Sequence, residues 1–158
     1  MQVRTARLEL TAATIPLAEA ELSDRHELSR LLDAAVPAEW PPETAADALP
    51  LFLGWLREHP EWYGWLAWYG VRVTGNERVL VGGCGFLGGP DDIGMVEMGY
   101  SVLPPFQRQG IATEMVEALE GCELIPQPAG GPPAPMALIL CRAWYWIPFP
   151  VQGQRGWW

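Results

Sequence analysis

Lysine is missing from this chain. All ten basic residues are arginine, set against nineteen Asp and Glu, and the formal net charge is −9. A phosphate loop of the Walker type ends on a lysine, so that nucleotide-binding device is excluded. An acidic chain with no basic run also argues against nucleic acid as a partner. Histidine and cysteine are nearly as scarce: His26 and His59 stand with Cys84, Cys122 and Cys141, too widely spaced to read as a zinc site or a disulfide framework. No metal is therefore expected, and a reducing, cytoplasmic setting is the default. Long apolar runs are absent as well. "LPLFLGWL" falls far short of the roughly 18 residues of a membrane span, and "MQVRTARLEL" lacks an apolar signal core. A soluble protein with no membrane partner is the expectation.

What is present suffices for one packed domain, with 158 residues of which 49% are hydrophobic. "ARLELTA" alternates as a short first strand. "SDRHELSRLLDAA" follows, with Leu28, Leu31, Leu32 and Ala35 on one helical face behind a cap at Ser23 or Asp24. After the prolines of "VPAEWPPE", a second helix is read from Leu49, Phe52, Leu53 and Leu56, and Pro50 is expected to bend it. "GWLAWYGVRV", "RVLVGGCGFLGG" and "MVEMGYSVLP" read as three consecutive antiparallel strands, joined by "TGNE" and "GPDDIG". A helix from about Gly110 to Glu120 turns Ile111, Met115, Ala118 and Leu119 to one side and Thr113, Glu114 and Glu117 to the other. The fold class is α/β in content.

From Gly121 the texture changes, and residues 1–120 are read as the core with 121–158 as an atypical tail. The tail holds seven Pro, five Gly, four Trp and a single carboxylate. "PQPAGGPPAP" reads as a loop or disorder, and "MALILCRAWYW" as one strand near 136–146. The apolar "AWYWIPF" makes a homodimer a candidate assembly.

Gly83, Gly85 and Gly88 satisfy the dinucleotide-binding pattern G-x-G-x-x-G, which requires a strand before it and a helix after it. Here a turn and another strand follow, so the glycines instead allow a bend or a close backbone approach. A nucleotide-binding oxidoreductase would need a helix directly after Gly88.

"QRQGIA", Gln107 to Ala112, is different, because it does open a helix. The first N–H groups of a helix lack internal partners and carry partial positive charge, which suits phosphate. Gly110 lets the backbone come close, Arg108 adds a charge and Gln107 an amide donor. An ordinary loop-to-helix junction is the alternative reading of the same residues.

"VEMGYSVLPPFQRQGIATEMVEAL" resembles the acetyl-CoA-binding core of the GNAT superfamily of N-acetyltransferases, in the branch related to ribosomal-protein N-terminal acetyltransferases. Gln107, Gly110 and Ala112 occupy the fixed positions of its Gln/Arg-x-x-Gly-x-Gly/Ala signature, and "TARLEL", "LVGGCGF" and "VEMGYSV" fall in the expected order. The resemblance runs from Thr5 to Leu119. It implies an α+β fold, a mixed and mostly antiparallel sheet flanked by helices, and a protein that binds acetyl-CoA and transfers its acetyl group to a primary amine. It implies that Gln107, Arg108, Gln109, Gly110, Ile111, Ala112 and Thr113 hold the pyrophosphate, while main-chain groups of Ser101, Val102 and Leu103 pair with the pantetheine arm. Family members continue with a parallel fifth strand, for which "MALILCRAWYW" is the candidate, and often carry a thiolate-protonating Tyr. Tyr145 has no matching context.

An amine nucleophile is mostly protonated near neutral pH, so transfer needs a base. Glu97 is the candidate, acting directly or through water, on a strand face shared with Gly99 and Ser101. A structural carboxylate is the other reading of Glu97, and a family bulge in this strand would spoil the alternation. Trp40 is the candidate acceptor-binding aromatic, with Trp62, Tyr63 and Trp65 as further cleft or packing residues. The acceptor is a small molecule or a protein N-terminal amine. Cys84 as a nucleophile lacks supporting spacing. The main rival function is a non-catalytic CoA-binding or protein-interaction module derived from the same domain.

Overall fold

The computed structural model describes residues 1–46, 48–87, 96–120 and 139–143. One six-stranded sheet runs in chain order: β1 (Gln2–Arg4), β2 (Leu8–Ala12), β3 (Trp68–Thr74), β4 (Glu77–Leu87), β5 (Val96–Val102) and β6 (Ile139–Ala143). All neighbours are antiparallel except the last pair, in which β6 lies parallel to β5 from Val96↔Ile139 to Tyr100↔Ala143. The mixed sheet and its three consecutive antiparallel strands match the sequence reading, and the strand expected near 136–146 is β6. The β1 pairing was not read from the sequence, since three residues are too few to show alternation. "GPDDIG", "PQPAGGPPAP", Tyr145 and all of "AWYWIPF" after Ala143 lie outside the described residues.

Helices α1 (Ile15–Ser23), α2 (Arg25–Leu32), α3 (Glu43–Ala46) and α4 (Leu49–Glu58) come between β2 and β3, and α5 (Ile111–Glu120) follows β5. Asp24 caps α2, its side chain accepting from the N–H groups of His26 and Glu27. Leu28 and Leu32 are buried as the spacing requires, while Ala35 lies past the helix end and bridges to Val79. Pro50 does not bend α4. It stands in the first turn, where its missing N–H has no partner to lose. α1 was missed because "IPLAEAELS" is apolar nearly all round and shows little periodicity. Its start was nevertheless marked by Thr14, which caps the Leu17 N–H, and by Pro16 in the first turn.

The two faces of the sheet are distinguished by where their glycines point. A Cβ on Gly70 or Gly82 would run into Met115 of α5, whereas one on Gly83 would approach Trp40. Met115 is fully buried there, between Ile111 and Leu119. Successive residues face opposite sides, so α5 covers one face while Trp40 stands over the other. The expected bulge is not in β5, whose register with β4 is unbroken from Gly82↔Val102 to Leu87↔Glu97. It is in β4: Gly70 faces Gly82 and Val71 faces Leu80, leaving Val81 extra. The hairpin between β3 and β4 turns on Gly75 at φ +59°, the first central position that a type II′ turn reserves for glycine.

Gly85 is a case of close approach. A Cβ there would lie 1.9 Å from the Leu66 carbonyl oxygen. Gly83 and Gly85 thus sit inside a strand and serve its packing, as the sequence reading held against a dinucleotide loop. Among the described residues, no helix is long and apolar enough to cross a membrane.

Candidate active site

β5 passes to α5 through a 3₁₀ turn at Pro104–Phe106 and the exposed run Gln107 to Gly110. Arg108 and Gly110 both have left-handed backbones, with φ of 58° and 77°. Such residues in a turn make a concave nest of main-chain N–H groups that suits an anion. The N–H groups of Arg108 and of Gly110 to Thr113 have no acceptor among the described residues, while the backbone turns back on itself at residues 107–108. The helical ladder begins only at the Glu114 N–H, which donates to the Gly110 carbonyl. No carboxylate occurs between Gln107 and Thr113 to compete for these donors.

The mouth is fastened by residues far away in sequence. Arg7 donates from Nη1 to the Gln109 carbonyl at 2.9 Å and from Nε to Glu114 at 2.6 Å. Glu114 also accepts from the Arg7 N–H and the Thr5 hydroxyl. Burial acts to raise the Glu114 pKa, but the Thr5 and Arg7 hydrogen bonds outweigh it and hold the group below the ordinary carboxylate value. Glu114 was read as a solvent-side residue, and it is a tie. Gln109 further donates to the Pro105 carbonyl, and Gln107 donates to the Val102 carbonyl at 2.8 Å. In this arrangement the Gln107 amide fastens the loop to β5.

Of the residues read as cofactor contacts, Gln107, Arg108, Gln109, Gly110 and Thr113 are exposed, Ala112 is half-buried, and Ile111 is buried beneath the helix. Val102 and Leu103 are also buried, so they can offer only main-chain groups. The Leu103 N–H already donates to the carbonyl of the bulged Val81, which removes it from the donors available to a thioester. Ser101 is half-buried and faces the opposite side from Val102.

On that side a cavity of about 60 Å³ is lined by Ser101, Gly83, Tyr69, Trp40, Phe52 and Glu21, among others. Trp40 donates from its indole to Glu21 Oε1 at 2.8 Å, and the Tyr69 hydroxyl donates to Oε2 at 2.7 Å. Burial raises the Glu21 pKa against those two hydrogen bonds. Burial, then the Glu21 charge, push the Tyr69 phenol well above its usual value. Trp40, the aromatic named from the sequence as an acceptor-binding candidate, lines this cavity, whereas Glu21 and Tyr69, whose meeting requires α1, were not named. Cys84 also lines the cavity, with its thiol pushed up to about 12 by complete burial, which keeps it from acting as a thiolate. Trp65 is a core residue stacked on Phe86, and Trp62 stacks on His59.

Glu97 is half-buried at the other end of β5, beside Leu87 of β4 and Leu140 of β6. It shares a face with Ser101 but lies about 13 Å along the strand at roughly 3.3 Å per residue. It does not line the cavity with Ser101 and Trp40.

A sheet with β6 parallel beside β5, and a helix opening on a nest of free N–H groups directly after β5, define an acyltransferase-like architecture. Residues 7–122 match the acetyltransferase (GNAT) domain, and the chain belongs to that family. It is 32% identical over 117 residues, 74% of its length and 68% of the relative's, to the uncharacterized N-acetyltransferase YjdG of Bacillus subtilis. A solved GNAT-family acetyltransferase from Bacillus anthracis is similar at 17% identity and a TM-score of 0.41, with 75% of this chain covering 63% of that one. A Vibrio cholerae chain, bearing the name of a ribosomal-protein-serine acetyltransferase, is similar at 24% identity and a TM-score of 0.44, with coverage of 75% and 64%. The chain therefore spans less than two thirds of either solved relative.

Proposed function

We propose that this protein transfers an acetyl group from acetyl-CoA to a primary amine. The observation that carries the reading is the nest at Arg108 to Thr113, whose N–H groups other than that of Gln109 have no acceptor among the described residues and are uncontested by carboxylates. Gly110, Ile111, Ala112 and Thr113 would bind the pyrophosphate through main-chain N–H groups, with Arg108 and the Thr113 hydroxyl adding side-chain donors. Acetyl-CoA would supply an activated thioester. Ser101 and the main chain of β5 beyond Tyr100, its last described pairing with β6, would orient that end, and Trp40 with Ser101 would border the acceptor.

The acceptor nitrogen must be neutral to attack, forming the C–N bond as the C–S bond breaks and CoA leaves as thiolate. Glu97 would take the amine proton through intervening water, because its distance along β5 is too great for direct contact. The thiolate then takes a proton from solvent.

The test is thermal unfolding of the full chain with and without acetyl-CoA, followed by free-thiol release in the presence of an amine panel. A rise of several degrees at saturating acetyl-CoA, with amine-dependent thiol release, is expected. A shift without thiol release would instead make the chain the non-catalytic CoA-binding module, and no shift in a folded sample would refute the binding site itself.

A further inference from the structure

Glu21 has no part in the transfer chemistry above, yet it presents a carboxylate to a cavity whose remaining walls are mostly apolar, including Ala13, Ala18, Pro42, Leu49 and Phe52. Its two described partners, the Trp40 indole and the Tyr69 hydroxyl, are neutral donors that fix its orientation and leave its charge uncompensated. Among the described residues no arginine pairs with Glu21: on the same helix Glu19 takes Arg57 at 2.6 Å, and Arg25 donates to the Ala38 and Trp40 carbonyls. Each Glu21 oxygen accepts a single described hydrogen bond and retains capacity for another. Burial disfavours the charged form of Glu21, a penalty that a cation entering the cavity would relieve.

The cavity also has a direction. Tyr69, Gly83 and Ser101 stand opposite one another on β3, β4 and β5. Tyr69 and Ser101 are therefore two strand spacings, roughly 10 Å, apart. Gly83 between them is covered, since the Trp68 carbonyl lies 3.1 Å and the Trp40 ring 3.7 Å from where its Cβ would be. An apolar cavity with an aromatic wall and a carboxylate suits an alkyl stem that carries an ammonium, and an aromatic ring face also attracts a cation.

We propose that Glu21 is a specificity-determining residue that seats a second, cationic nitrogen of the acceptor, making the acceptor a short aliphatic diamine. One amine lies at Ser101 for reaction, the stem lies in the cavity against Trp40, and the other ammonium meets Glu21. This assignment rests on the acetyl-transfer reading for its reacting end only.

Wild type and E21Q are titrated calorimetrically with diaminobutane and with butylamine in the absence of acetyl-CoA. KM and kcat are then measured for both amines with acetyl-CoA. Wild type is expected to favour diaminobutane by tenfold or more in Kd, and in KM if transfer occurs, a charged hydrogen bond being of that order. E21Q should erase this ratio, and E21D should restore part of it. Glu21-dependent preference in calorimetry without any transfer would sustain the ammonium seat and refute the transferase reading. Transfer to both amines with equal KM in wild type would overturn the seat and leave the transferase reading standing. A fall in kcat of E21Q for both amines alike, with no change in the KM ratio, would also overturn it. If E21Q does not fold, Y69F takes its place, with a partial loss of the same ratio expected and an unchanged ratio counting against the proposal.

Discussion

The mouth at Arg108 to Thr113 and the cavity around Glu21 lie on either side of Ser101 and are made from opposite materials. The mouth is exposed main chain, shaped by two left-handed residues and positive at its helix end. The cavity is made of side chains, half-closed, and negative through one carboxylate held by two aromatic donors. A site of the first kind is insensitive to side-chain identity except where conformation or tethering demands it. A site of the second kind depends on each side chain that forms it. The difference implies that ligand recognition at the mouth should tolerate most substitutions, while recognition in the cavity should not.

The largest expected effect removes the support common to both. M115A would empty space above Gly70 and Gly82, where the Met115 side chain fills the room that a Cβ would need. Its loss should cost about 2–5 kcal/mol, read as a lower denaturant midpoint, with both ligand responses weakened together. R7A should separate the regions. It removes the ties to Glu114 and the Gln109 carbonyl, at a cost of about 1–3 kcal/mol. The acetyl-CoA thermal shift should fall sharply while calorimetric amine binding persists, and equal loss of both would show that the mouth and cavity are not independent.

G110A tests the conformational demand alone. It puts a side chain at φ +77°, a strain of about 1 kcal/mol, and should weaken acetyl-CoA binding more than it lowers the unfolding midpoint. The smallest effects are in the pH dependence, where the two carboxylates have opposite signs. The Glu114 pKa is held below the ordinary 4.5, so its stabilisation is complete above that value and is lost as pH falls beneath it. The Glu21 pKa is raised above 4.5, so stability declines as pH rises through the interval between 4.5 and the folded value. Comparing unfolding midpoints across pH, E114Q should flatten the acid limb, and E21Q should remove the decline above it.

The same contrast explains what could be read from the sequence. The mouth is contiguous: strand, Pro-Pro, "QRQGIA" and an amphipathic helix appear in chain order, so its strand-turn-helix shape was legible residue by residue. The cavity carboxylate depends on Glu21, Trp40 and Tyr69 from three separate elements, and α1 shows no polar face to announce it. Arg7 was passed over for the same reason, since nothing local pairs it with Glu114. The bulge was expected in β5 from the resemblance alone, and nothing in "LVGGCGF" marks Val81 as the residue without a partner. Pro50 misled in the other direction, since its effect depends on whether it stands in the first turn or later, and only the helix start decides that.

Arg7 and Glu114 are 107 residues apart along the chain. During synthesis, the guanidinium emerges long before its carboxylate exists, so the fastened mouth can form only after α5 has been made. Until then β2 is present with nothing to hold the Arg7 guanidinium, and the mouth proposed for acetyl-CoA is among the last parts to assemble. A nascent chain arrested before Glu114 should contain much of the sheet and none of the fastened loop, and affinity for acetyl-CoA should appear late, as one step, when α5 docks.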